Sequence, residues 1–306
     1  MQVSPLCLFS FTVLATLALG QLTGSAFAEE PEFEEQAGIV YSTVGERDLL
    51  LDAYIPNGDG PHPGVLVVHG GGWRDGSRRQ LRGYAKSLAK RGFSCFAIDY
   101  RLAPKHKFPA QIEDCRSAVK WIRKNAVQYK VDASRVGAIG YSAGGHLVSL
   151  LGNTGEAPTE ENGHVDTRLQ AVVAGGAPTD FREFEDNGRW ATYFMGGDLD
   201  QVPENFHNAS SPAFADATDA PTFFFSGTND RIVPIGWSKA GYEALKEAGV
   251  KTEFYEIEGV GHLPAAANPK ALAKAYAFLE SELKEAKRDQ TVGDQRDDED
   301  DERESR

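Results

Sequence analysis

The 306-residue sequence predicts an α/β fold: a mostly parallel, doubly wound sheet with helices on both faces and a short cap-like insertion. Three observations predict it. Apolar runs, the valine-rich Gly64–Val68 with Phe93–Ile98 and Val136–Ile139, show no regular polar alternation, as expected of strands buried on both faces. Stretches with helical spacing lie between them, and strand–helix alternation is the pattern of parallel crossovers. Glycine-rich turns stand directly at the ends of two of these runs, at His69–Gly72 and at Gly140–Gly144. The 41% apolar content suffices for a large core, and the formal net charge of −13 argues against a nucleic-acid partner.

In chain order, Leu6–Leu19 is a short apolar run followed by Ala26-Phe27-Ala28, the small-residue pattern of a signal-peptide cleavage site. Residues 1–28 are therefore expected to be a secretory signal peptide cut before Glu29, although Met1–Pro5 lacks Lys and Arg. The run is short for a bilayer span, so no stable membrane insertion is expected and the location reads as secreted or periplasmic. Cys7 leaves with that peptide. Cys95 falls in a strand run and Cys115 on the apolar face of a helix, so both read as small buried hydrophobes. A bridge between them stays open in an oxidising compartment.

The expected domain, 29–286, begins with Gly38–Ser42 and Leu49–Ile55, an antiparallel hairpin stopped by the turn cluster Pro56–Pro61. After the strand Gly64–Val68 comes His69-Gly70-Gly71-Gly72-Trp73, where three glycines let backbone N–H groups converge on one point. Arg79–Arg91 has helical spacing. Phe108-Pro109 opens a helix whose stripe Ile112, Cys115, Val119 and Ile122 should face the sheet. The run Val136–Ile139 then ends in Gly140-Tyr141-Ser142-Ala143-Gly144, read as strand, sharp turn and helix. A serine at such a turn takes a strained backbone, and glycines two residues to either side relieve the crowding.

Leu169–Val173 is a further short strand. Thr179–Asp219 breaks the rhythm, with Phe181, Phe184, Trp190, Tyr193, Phe194 and Phe206 scattered without a clean period. The segment reads either as a cap over a binding site or as a crossover with its own small core. Pro221–Phe225 is a strand leading to Asp230, Trp237–Ala248 a helix, Thr252–Ile257 the last strand, and Ala271–Lys284 the closing amphipathic helix. Residues 287–306 are expected to be a disordered acidic tail, since from Glu285 onward ten acids face five bases and Asp294–Arg306 has nothing apolar to bury.

A serine hydroxyl is a weak nucleophile and needs an imidazole base oriented by a carboxylate. The order Ser142, Asp230, His262, each just past a strand, resembles that of the α/β-hydrolase family. With His69–Gly72, the run Gly140–His146, Asp230–Pro234 and Gly261-His262, the sequence resembles the acetyl-esterase/lipase and hormone-sensitive-lipase-like branch, especially secreted bacterial feruloyl and acetyl xylan esterases. The resemblance covers Gly38–Lys284. It implies Ser142 as nucleophile, His262 as general base and Asp230 as its orienting acid. Gly71, Gly72 and Ala143 would be the oxyanion donors. Trp73, Tyr141 and Leu263 are the candidate substrate contacts, Trp73 reading equally as core packing.

The expected activity is hydrolysis of short-chain or carbohydrate-linked acyl or aroyl esters through an acyl-enzyme, with a small-molecule or carbohydrate ester as partner and no cofactor. The alternatives are an amidase, because the glycine loop also resembles that of kynurenine formamidases, a peptidase, or an inactive hydrolase fold used for binding. His69 reads as a loop brace, His146 as packed under the serine turn and Asp99 as part of a loop network. His62, His106, His164 and His207 lack partner spacing, so no metal site is indicated.

Overall fold

The computed structural model describes residues 32–160, 165–182 and 189–285. The expected signal peptide, the acidic tail, His164, Phe184 and the side chain of Trp190 lie outside the described residues. The hairpin β1 (Phe33–Val44) and β2 (Arg47–Pro56) turns at Gly45 (φ 61) and joins the sheet antiparallel, β2 pairing with β4 (Ser94–Ile98). The strands β3 (His62–Val68), β4, β5 (Val131–Tyr141), β6 (Val172–Gly175), β7 (Thr222–Gly227) and β8 (Thr252–Ile257) run parallel to one another. The sheet order is β1-β2-β4-β3-β5-β6-β7-β8.

That order decides where a site can form. From β3 the chain crosses to β4 on one side, and from β4 back to β5 on the other. A crevice opens beyond the carboxyl ends of β3 and β5, the switch point at which open α/β sheets bind ligands. Val68 pairs with Gly140, so the glycine loop and the serine turn leave the sheet side by side.

Side chains alternate between two cores across the sheet: Leu66 and Val68 join one, Val65 and Val67 the other. The helices α2 (Ala110–Lys124) and α3 (Ala143–Asn153) cover the first face, and α6 (Ile235–Glu247) packs there too. The second face is covered by α1 (Arg82–Ala89) and α8 (Pro269–Glu280). As the spacing predicts, Ile112, Cys115, Val119 and Ile122 are all buried. Cys95 and Cys115 are free and belong to opposite cores, so the sheet itself separates them and the open disulfide reading is closed.

The insertion contains α4 (Arg189–Met195), α5 (Pro203–Asn208) and a 3₁₀ turn at Ser211–Phe214. Its described aromatics divide: Tyr193 borders a cavity beside Ser142, and three others pack inward. Phe181, Phe194 and Phe206 are fully buried and anchor the segment on the first core, because rings of that size gain most when removed from water. A short helix in a stretch given no element by the sequence, α7 (His262–Ala266), follows β8. Among the described residues no helix is long and apolar enough to cross a membrane.

Candidate active site

Ser142 follows β5 at φ 57 and ψ −122, a conformation that L-residues adopt only when their surroundings impose it. Its N–H donates to Gly175 C=O (2.8 Å), and its C=O accepts from His146 N–H (2.9 Å). The flanking glycines are required by contact. A Cβ on Gly140 would lie 2.3 Å from the Gly144 carbonyl oxygen, and one on Gly144 would lie 2.0 Å from that of Val68. Backbone meets backbone there, so no rotamer change can make room, and the amino end of α3 presses against the ends of β3 and β5. Ala143, the first residue of α3, presents its N–H at the positive end of the helix dipole beside the serine.

His262 opens α7. Its Nδ1 lies 2.6 Å from Asp230 Oδ2, and both side chains are almost fully buried. The other carboxylate oxygen of Asp230 accepts from Ile232 N–H and Val233 N–H, both at 2.9 Å. Two backbone donors therefore hold the carboxylate plane. With Nδ1–H given to Asp230, the Nε2 lone pair of the neutral ring is free to take a proton from a hydroxyl. Tyr141 donates its OH to His262 C=O (2.5 Å), tying the strand before the serine to the turn that carries the imidazole. Ser142 and His262 line the same cavity. No hydrogen bond joins their side chains among the described residues, as is common before a ligand draws such groups together.

The glycine loop runs left-handed through Gly71 (φ 107), Gly72 (φ 59) and Trp73 (φ 58). Gly71 is obligatory, since a Cβ there would lie 2.0 Å from Asp75 O. The segment after the loop is pinned by Arg78. Its Nε donates to Asp52 Oδ1 (2.7 Å), its Nη1 to Asp99 Oδ2 (2.6 Å) and its backbone N–H to Asp99 Oδ1 (2.7 Å). Asp99 thus serves a loop network. His69 is buried, stacks on Tyr100 at 4.2 Å and pairs through Nδ1 with Gly70 C=O at 2.7 Å. Burial lowers its pKa, which suits a neutral brace.

Two cavities diverge from Ser142, Gly72 and Ile232, the three residues they share. The larger, of about 660 Å³, lies between α1 and α7–α8 and is bordered by His262, Tyr84 and Tyr276, with Leu263 74% exposed at its margin. The smaller, of about 230 Å³, is bordered by Ala143, Trp73, Tyr193, Val233 and Trp237.

Residues 51–245 match the BD-FAE family. The chain belongs to that family. Among curated relatives, it is 33% identical over 215 residues to Esterase LipC of Mycobacterium tuberculosis, covering 66% of this chain and 53% of the relative. The chain spans about half the length of several curated relatives that it matches. Among solved structures, a truncated carbohydrate esterase from gut microbiota superposes with a TM-score of 0.72 at 23% identity, covering 83% of this chain and 98% of that one. Esterase 2 of Thermogutta terrifontis with butyrate bound gives 0.67 at 28% identity, covering 81% and 94%. The same esterase, phosphonylated by sarin, gives 0.69 at 28% identity, covering 83% and 96%. The fold is that of the α/β-hydrolases.

In this BD-FAE chain, three sequence-chosen contacts take different places. Trp73 is core packing as well as cavity wall: it stacks on Phe194 at 4.1 Å and donates Nε1–H to His146 Nδ1 at 3.0 Å. Because indole can only donate, His146 carries its proton on Nε2 and gives it to Ala209 C=O (2.7 Å). Burial pushes the His146 pKa down to about 4. Tyr141 is buried and holds the His262 backbone, besides bordering the larger cavity, and Leu263 sits at that cavity's exposed margin. Sequence reasoning misses Ile232, Tyr84 and Tyr276 as cavity walls, whereas Tyr193 stands among the aromatics of the segment it reads as a cap or a crossover. Only Ile232 carried a local signal, two residues past an Asp whose carboxylate caps its N–H.

Proposed function

We propose that the protein is a secreted serine carboxylic-ester hydrolase that works through an acyl-enzyme. The observation that carries this reading is the buried Asp230–His262 pair at 2.6 Å, with His262 sharing a cavity with a serine held at φ 57. Esterase relatives, and a solved neighbour with butyrate bound, support it. Ser142 Oγ adds to the ester carbonyl while His262 Nε2 takes its proton. The N–H groups of Gly71, Gly72 and Ala143 receive the oxyanion, and the imidazolium then protonates the departing alcohol. Water repeats the sequence on the acyl-serine.

Placement of the two halves of the ester follows from the same proton. The leaving alcohol must lie beside His262, which borders the larger cavity and not the smaller. The acyl group then occupies the smaller cavity beside Ala143, which suits a short acyl or a single aromatic acid, while the roomier side suits a bulky or carbohydrate alcohol. Residues 1–28 serve as the export signal in this reading, with 287–306 as a solvating tail.

The test is fluorophosphonate labelling of the mature protein, with the modified peptide identified by mass spectrometry, beside turnover of acetylated, feruloylated and aryl esters. Labelling at Ser142 with ester turnover is the expected result. An unlabelled protein inert towards every ester would leave a hydrolase fold used only for binding.

A further inference from the structure

We propose that Tyr193, on α4 of the insertion, is a positioning residue for the oxyanion loop, an inference that rests on the esterase reading. Gly71 and Gly72 lack side chains, and Trp73 at φ 58 sits where a bulky residue is strained, so its peptide has reason to rotate away.

What fixes each peptide is its carbonyl. Gly70 C=O pairs with His69 Nδ1 at 2.7 Å. Gly71 C=O accepts from the N–H groups of Arg74 (3.1 Å) and Asp75 (2.9 Å). Gly72 C=O accepts from Tyr193 OH at 2.8 Å. In a trans peptide the C=O and the next N–H point in opposite directions, so these bonds aim the N–H groups of Gly71, Gly72 and Trp73 the other way. Two of the three carbonyls are held from within the loop's own neighbourhood. The third is held from 121 residues away, by the insertion.

The Tyr193 ring is itself anchored. Its neighbour Phe194 stacks on Trp73 at 4.1 Å, and the Arg74 guanidinium lies 5.3 Å over the Tyr193 ring. The ring also borders the smaller cavity together with Gly72 and Ser142. One hydroxyl therefore couples the wall of the acyl site to the loop that must receive the oxyanion, and it can be deleted without moving the wall.

Tyr193→Phe makes that deletion. Removing an oxyanion donor outright costs about 10²–10³ in kcat; Tyr193 fixes the Gly72–Trp73 peptide that adjoins the Gly72 donor, so loosening that peptide while both loop donors remain should cost about tenfold. On p-nitrophenyl acetate we expect kcat to fall about tenfold with KM within about twofold of wild type. The affinity for a trifluoromethyl ketone, which binds as the tetrahedral adduct, should fall by the same factor, with the thermal midpoint unchanged. An active wild type matched by Tyr193→Phe in kcat and in ketone affinity overturns the proposal alone. So does a loss of kcat with unchanged ketone affinity, or one that tracks a lowered thermal midpoint. A wild type inert towards every ester overturns the esterase reading and this proposal with it.

Discussion

Lowering the pH tests the bridge beneath the serine turn. His146 accepts from the buried Trp73 indole and donates to Ala209 C=O, an arrangement that only the neutral ring can make. Burial holds its pKa at about 4, against 6.5 for a free imidazole. Because the folded-state value is depressed, the unfolded chain binds the proton first as pH falls. The stability His146 contributes is complete above about pH 6.5 and drains away between there and about pH 4. At about 1.4 kcal/mol per pH unit the full effect is about 3.5 kcal/mol, of which about 2 kcal/mol is gone by about pH 5. His146→Gln supplies the control, since its amide oxygen can accept from Trp73 and its NH₂ donate to Ala209 without titrating. Urea unfolding of both proteins at about pH 7.5 and about pH 5 lets the other titrating groups cancel in the comparison. Wild type should lose about 2 kcal/mol more than His146→Gln over that interval. Equal losses would refute the buried neutral bridge.

Asp230→Asn should lower kcat by about 10⁴-fold by favouring the wrong His262 tautomer, with the thermal midpoint little changed; near-wild-type turnover would place the acid elsewhere. Arg78→Ala leaves Asp52, whose side chain is only 5% exposed, without its ion-pair partner. It should cost about 3 kcal/mol in urea unfolding, and a change under about 0.5 kcal/mol would show that the pair is screened. On p-nitrophenyl esters, kcat/KM should peak from acetate to butyrate and fall steeply by octanoate, because the smaller cavity is about 230 Å³. Ile232→Ala removes a wall common to both cavities and should move that optimum to longer chains. A wild-type rate that climbs through octanoate refutes the acyl placement, and an unchanged profile in the variant refutes the role of Ile232.

The sequence by itself determined the order of strands and helices, the turn at Gly140–Gly144 and the succession of Ser142, Asp230 and His262. These are signals the residue types carry: burial on both faces makes a continuous apolar run, and where an added Cβ would lie 2.0–2.3 Å from a backbone oxygen only glycine is possible. It also placed Asp230 and His262 past strand ends, because a parallel sheet brings all such ends to one edge. Only the tertiary structure decided what meets across that edge. The 2.6 Å approach of His262 to Asp230, the grip of Tyr193 on Gly72, the opposite cores of Cys95 and Cys115 and the burial of Phe181, Phe194 and Phe206 each depend on segments far apart in the chain. An aromatic residue in a segment without period carries the same sequence signal whether it roofs a pocket or fills a core. The choice rests on the summed packing of every element against it, and no stretch of sequence holds that sum.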